Sequence, residues 1–313
     1  MRRVFYPAMC LMGQLRYGAK FVLIGGLSLV VILVLVLVLL SDLRNTMRLT
    51  ENGLDGLRVL GKVHRVIEFT QQHRGLSSGV LNGNAAMREP RSAKEKQVEE
   101  AFAAAEAVLP QVLRVRPEWQ RIRESWQAIA RGGLAWTPAE SIRRHSEMID
   151  QMILFLVEIG DHSGLTLESD LAAYYMVDTI VSKMPQLLEY LGLTRARGTG
   201  VLARKALLPE LRIDLISSLA LMEGALRGQN INLEKIGQAD PVLKAALQSG
   251  GGGFTASTHK VFSVVREEVL GERFSISPDA YFALTTALLD QGYKIIFESL
   301  LPQLEIRLQS RLA

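Results

Sequence analysis

From Phe21 to Leu40 the chain reads FVLIGGLSLVVILVLVLVLL, an unbroken run without a single charge. As a helix rising ~1.5 Å per residue, such a run spans roughly 30 Å, the hydrocarbon thickness of a bilayer. A purely cytosolic protein is thereby excluded. Four of the 36 Lys and Arg residues (Arg2, Arg3, Arg16 and Lys20) precede the run, and the first acidic residue is Asp42. The other 32 basic residues equal the 32 Asp and Glu. All of the +4 net charge therefore sits beside the membrane. The chain beyond Ser41 is neutral, with no basic footprint for nucleic acid.

Positive flanks stay on the cytoplasmic side, so the charge asymmetry sets a topology. Residues 1–20 form a cytoplasmic basic segment, 21–41 a transmembrane anchor, and 42–313 an extracytoplasmic domain. The chain is expected to be single-pass in the cytoplasmic membrane, in contact with lipid through this helix. A cleaved signal peptide would need a shorter apolar core and a small-residue cleavage site. Here Ser41-Asp42-Leu43-Arg44-Asn45 comes next instead. The lone Cys10 lies before the anchor, so the exported part has no thiol and must be stabilised by packing.

The exported part reads as all-α. From Asp42 to Leu81 the residues Leu60, Val63, Ile67, Thr70, Ser77 and Leu81 recur at helical steps, and no proline stands between Pro7 and Pro90. Further helices are expected at Glu95–Leu109, from Pro117, from Thr137 to Gly160, from Glu168 to Lys205 with a kink at Pro185, and at Pro209–Arg227 and Pro241–Gln248. The last two run from Ser257 to Leu270 and from Pro278 to Leu312. Gly250–Gly253 is expected to be a turn. These lengths suggest two stacked four-helix bundles sharing a pair of long helices.

Two imperfect internal echoes suggest a weak duplication. QQHRGLSSGVL (Gln71–Leu81) and RARGTGVL (Arg195–Leu202) share Arg-Gly, hydroxyl residues and Gly-Val-Leu. Ser169–Tyr175 and Ser277–Phe282 each start a long helix with an acid and then aromatic residues.

The segments QQHRGLSSGVLNGN, RPEWQRIRESW and SDLAAYYMVDTIVSKMPQLLEYLGLTRARGTGVLARK resemble the extracytoplasmic sensor region of bacterial transmembrane receptors. These are methyl-accepting chemotaxis proteins and related sensor kinases with modules similar to the nitrate- and nitrite-sensing domain. The resemblance implies that arginines on long helices hold a small anion. Carried over by motif, the positions are Arg74 with Gly75, Ser77 and Ser78, and Arg197 with Gly198. It also implies a second membrane helix, a HAMP linker and an output domain after Ala313, so the sequence is either a truncated receptor or an orphan sensor module.

Arg74 is in register with Ile67, Thr70 and Leu81 and so faces the core, where an unpaired guanidinium costs several kcal/mol. Two readings stay open. Its planar fork suits a planar oxyanion, with Gly75 and Gly79 making room and Ser77 or Ser78 donating. Alternatively it pairs with an acid on a facing helix. Arg195, on the adjacent face, could replace Arg197. His73 and Ser77, four residues apart, could touch as a surface pair. His145, His162 and His259 lack ligand-like neighbours, Gly250–Gly253 lacks the Lys-Ser/Thr of a phosphate loop, and Trp119 with Trp126 suit core packing. No catalytic group, metal or cofactor is expected. The sequence therefore points to a homodimeric sensor that binds a small ligand, preferably an anion, and the alternative is a ligand-free scaffold for a membrane or periplasmic partner.

Overall fold

In the computed structural model, residues 16–250 and 253–312 are described. The segment before Arg16, including Arg2, Arg3 and Cys10, and the Gly251–Gly252 part of the expected turn lie outside them. Among the described residues there is no strand, and the all-α expectation holds. The chain divides into two units, Met1–Thr50 and Glu51–Ala313. One helix, α1 (Tyr17–Leu81), belongs to both. In the first unit its apolar side chains from Phe21 to Leu40 are all exposed, the pattern of a helix that meets hydrocarbon on every side. It is long and apolar enough to cross a membrane.

In the second unit the helices follow the proline punctuation. They are α2 (Arg88–Val108), α3 (Pro117–Gly132) and α4 (Pro138–His162). Next come α5 (Leu171–Asp178), a π-helical turn Thr179–Lys183, and α6 (Met184–Arg204). After them lie α7 (Pro209–Ala239), α8 (Pro241–Gly250) and α9 (Phe254–Val264), which runs into a second π segment, Val265–Leu270. The chain ends in α10 (Pro278–Ile295), a third π turn Ile296–Leu300, and α11 (Leu301–Gln309). Proline stands at a first-turn position of α3, α4, α7 and α10, where its missing N–H has no helical partner to lose; those of α6 and α11 follow directly on π turns. Thr137, Asp170 and Ser277 cap α4, α5 and α10 by accepting from the backbone N–H three residues on.

Helices α2, α3 and α4 enclose Phe102, Trp119, Trp126 and Phe155, all essentially inaccessible and in edge-on or tilted ring contacts. A second group, α5 to α7 with α9 to α11, packs mainly through α6 against α7 and α10. Both groups border α1: Leu54, Leu57 and Gly61 share one groove with Ala101 and Ala104 of α2 and Leu301 of α11. The inner face of α1 (Leu60, Val63, Ile67, Thr70 and Arg74) is buried between them.

Candidate functional site

The helical step that buries Ile67 and Thr70 also buries Arg74, which is 1 % exposed. Its fork is taken by Glu189 of α6, with Nη1 donating to Oε1 at 2.5 Å and Nη2 to Oε2 at 3.1 Å. Nη1 also donates to the Ser146 hydroxyl of α4 at 2.8 Å. Gln71, one turn before Arg74, donates to Glu189 Oε2 at 2.9 Å, and the Tyr293 hydroxyl of α10 fixes Gln71 by donating to its Oε1 at 2.8 Å. The guanidinium fits because residue 192 is glycine: a Cβ there would lie 2.7 Å from Arg74 Nη2. Both carboxylate oxygens and both fork nitrogens of the pair are used, which is the condition for burying opposite charges at tolerable cost.

Arg195 of α6 is different. It is 2 % exposed and lies in step with the buried Leu188, Leu191, Gly198 and Leu202. Its Nη1 donates to the Thr286 hydroxyl at 2.9 Å and its Nη2 to the Gln71 carbonyl at 3.3 Å, while Nε has no partner. The guanidinium lies 4.9 Å from the centre of the Phe282 ring, a cation–π contact. Three arginines among the described residues are buried: Arg74, Arg91 and Arg195. The first two have a carboxylate within salt-bridge distance, and Arg195 has none. Burial, and then the nearby Arg74 charge, pull its pKa down to about 10, so it remains a cation at neutral pH. The Asp290 and Glu189 carboxylates oppose that shift from beyond salt-bridge distance, so acids bias Arg195 without bonding to it.

The six residues carried over by motif are distributed unevenly. Arg74 and Gly75 reach this cluster, and Gly75 gives Arg195 its space: a Cβ there would lie 3.1 Å from Nη2. Gly75 and Ser78 line a cavity of about 360 Å³ together with Phe282, Thr199 and Arg204. Because Gly75 and Phe282 both touch Arg195 and both line the cavity, they form the partition between them. Ser77 faces α2 instead, where its hydroxyl accepts from Arg91 Nε at 3.0 Å. Arg197 is turned to α7, bonded to Asp214 at 3.1 Å and Ser218 at 3.2 Å. Gly198 admits the Tyr281 ring, whose hydroxyl donates to the Thr194 carbonyl at 2.9 Å.

The histidines also form an arrangement that spacing did not suggest. His73 is buried and meets His145 of α4, not Ser77: Nδ1 of His73 and Nε2 of His145 are 2.9 Å apart. The Ser141 carbonyl, 2.7 Å from His145 Nδ1, requires that nitrogen to carry its proton, so His73 donates to His145. Burial holds both imidazoles below their ordinary pKa, and the bond chain needs His145 neutral; Glu95, 3.6 Å from His73 Nε2, opposes the shift at His73.

Glu189, Tyr293 and Thr286 complete the cluster and lay in no motif's assigned site; Gln71 and Phe282 stood at the ends of echoed segments but were given no role there. Only Arg195 carried a readable signal, the three-and-four spacing from Leu188 to Leu202. No curated protein and no solved structure matches the chain. A family model for nitrate and nitrite sensing matches residues 65–296, which contain the whole guanidinium cluster from Gln71 to Tyr293. That match covers well over half of the sequence, and the chain belongs to the nitrate and nitrite sensing family.

Proposed function

We propose that this chain is the sensor module of a membrane receptor and that it binds nitrate, nitrite or a similar small planar anion at Arg74 and Arg195. The observation that carries the reading is the buried Arg195 guanidinium, which has no carboxylate within salt-bridge distance and has an unused Nε donor. A buried cation without a counter-ion costs several kcal/mol, and a bound anion removes that cost. A planar oxyanion matches the flat fork of the guanidinium. Gly75 and Ser78 serve as the floor and a donor on the approach from the cavity. Arg197, paired with Asp214, assists through its charge alone.

An anion in this place touches three helices at once: α1 through Gln71 and Arg74, α6 through Arg195, and α10 through Thr286. It therefore favours one packing of those helices over another in proportion to its differential affinity, which is what a receptor transmits. In this reading the apolar run of α1 anchors the chain, residues 1–20 stay in the cytoplasm, residues 42–313 are extracytoplasmic, and the receptor works as a homodimer.

The test is thermal unfolding of the full chain in detergent with nitrate and nitrite. At one hundred times its dissociation constant the ligand adds about 2.7 kcal/mol to stability. Arg195→Ala abolishes that gain and Arg197→Ala retains most of it. A gain that survives in Arg195→Ala would remove the assignment.

A further inference from the structure

The Arg74 fork already holds an oxyanion supplied by the protein. Glu189 receives both Arg74 nitrogens and the Gln71 amide, three donors converging on a flat, delocalised group of charge −1. Nitrate and nitrite present the same kind of group: planar, singly charged, with oxygens that only accept. Arg195 stands beside this cradle and gives Glu189 nothing; its own donors go to Thr286 and the Gln71 carbonyl. The two arginines are therefore unequally supplied, one saturated by a tethered carboxylate and one with no carboxylate in bonding reach.

We propose that Glu189 is an internal competitor of the sensed anion, holding the Arg74 fork in the unliganded receptor until nitrate or nitrite, seated on Arg195, takes its place. The proposal rests on the reading that Arg74 and Arg195 form the anion site. A carboxylate on the same chain competes at a high effective concentration, so it sets the ligand concentration at which the receptor responds. The exchange also has a mechanical consequence. The Arg74–Glu189 bond ties α1 to α6, and a free anion in its place removes that tie. The displaced carboxylate keeps the Gln71 donor, which Tyr293 holds in position.

The two roles open to Glu189 predict opposite signs. If it only orients Arg74 for the ligand, removing its charge weakens binding. If it competes, removing its charge strengthens binding. The experiment is a nitrate titration of the full chain in detergent, read by calorimetry and by thermal shift, with Glu189→Gln and Glu189→Asp. Glutamine keeps the shape and loses the charge, while aspartate keeps the charge and withdraws it from the fork by one methylene. Both variants are expected to bind nitrate more tightly, Glu189→Gln by about tenfold or more. Both also show a larger ligand-induced thermal shift than the wild type, from a lower starting stability. If Glu189→Gln fails to fold, Glu189→Asp carries the comparison. Nitrate binding by the wild type that is unchanged or weakened in the variants overturns the competitor role and leaves the anion site standing. Absence of binding in the wild type and in both variants overturns the anion site itself.

Discussion

At the scale of single residues, one feature organises the interior: two guanidinium groups exchange glycine neighbours across α1 and α6. Arg74 lies over Gly192 and Arg195 over Gly75. The position of Arg74 was legible, because its step from Ile67 and Thr70 left it no route to solvent. Its partner was not, because an acid on a facing helix is visible in sequence only once the facing helix is known. For the second arginine the Arg-Gly echo pointed to Arg197, which the structure turns to α7. Arg195 and Arg197 are two residues apart, about 200° around a helix, so only one of them can face α1. Burial periodicity selects Arg195, and motif similarity selected Arg197. The saturated pair predicts a specific stability pattern. Arg74→Ala leaves Glu189 buried and unpaired, and should cost about 3–5 kcal/mol in denaturant unfolding without ligand. Arg74→Met combined with Glu189→Leu removes both charges and should recover most of that loss. A double variant as unstable as Arg74→Ala alone would show that the cost lies in packing and not in the orphaned carboxylate.

At the scale of elements, proline anticipated the helix starts well but not the form of the interruptions. A kink was expected at Pro185; the structure has a π turn, Thr179–Lys183, that ends two residues before it. The same device recurs at Ile296–Leu300, two residues before Pro302. A proline inside a helix removes one N–H, and a wider turn before it lets the chain continue, with some carbonyls left to outside donors. His64 of α1 is such a donor: its Nε2 lies 3.0 Å from the Ile180 carbonyl within the first π turn. Nothing in the sequence near His64 reveals this partner, since the carbonyl is exposed to it only by the π geometry. Burial lowers the His64 pKa from 6.5 to about 4, against a smaller opposing effect of the Ile180 bond. A base with a depressed folded pKa is protonated first in the unfolded chain. Its presence therefore costs stability as pH falls through 6.5, and the loss is complete below about 4. Glutamine can make the same bond and does not titrate. Relative to His64→Gln, the wild type should lose about 3 kcal/mol between pH 7 and pH 4, a difference that cancels the other titrating groups. Parallel stability curves for the two proteins over that range would place a charged or solvated imidazole at this position.

At the scale of the whole molecule, one helix contains both the apolar run and Arg74, and on the proposed function the charge distribution decides which side of the membrane an anion site would sample. Arg16 and Lys20 precede the run and no acid appears before Asp42, so translocation of the N-terminal side is disfavoured and export of the bundle is the expected outcome. Anion sensing from outside the cell's interior requires that orientation, and the opposite one would make Arg195 report on cytoplasmic anions instead. The chain carries its own control, because its single thiol, Cys10, lies before the run. Leu167, between α4 and α5, is 86 % exposed and distant in sequence from every residue of the guanidinium cluster. In a Leu167→Cys variant two thiols then flank the membrane run, and Leu167→Cys with Cys10→Ser isolates the second. A membrane-impermeant maleimide applied to cells with a permeabilised outer layer should label residue 167 at once and Cys10 only after the membrane is broken. Immediate labelling of Cys10 with protection of residue 167 would invert the receptor and put its ligand in the cytoplasm.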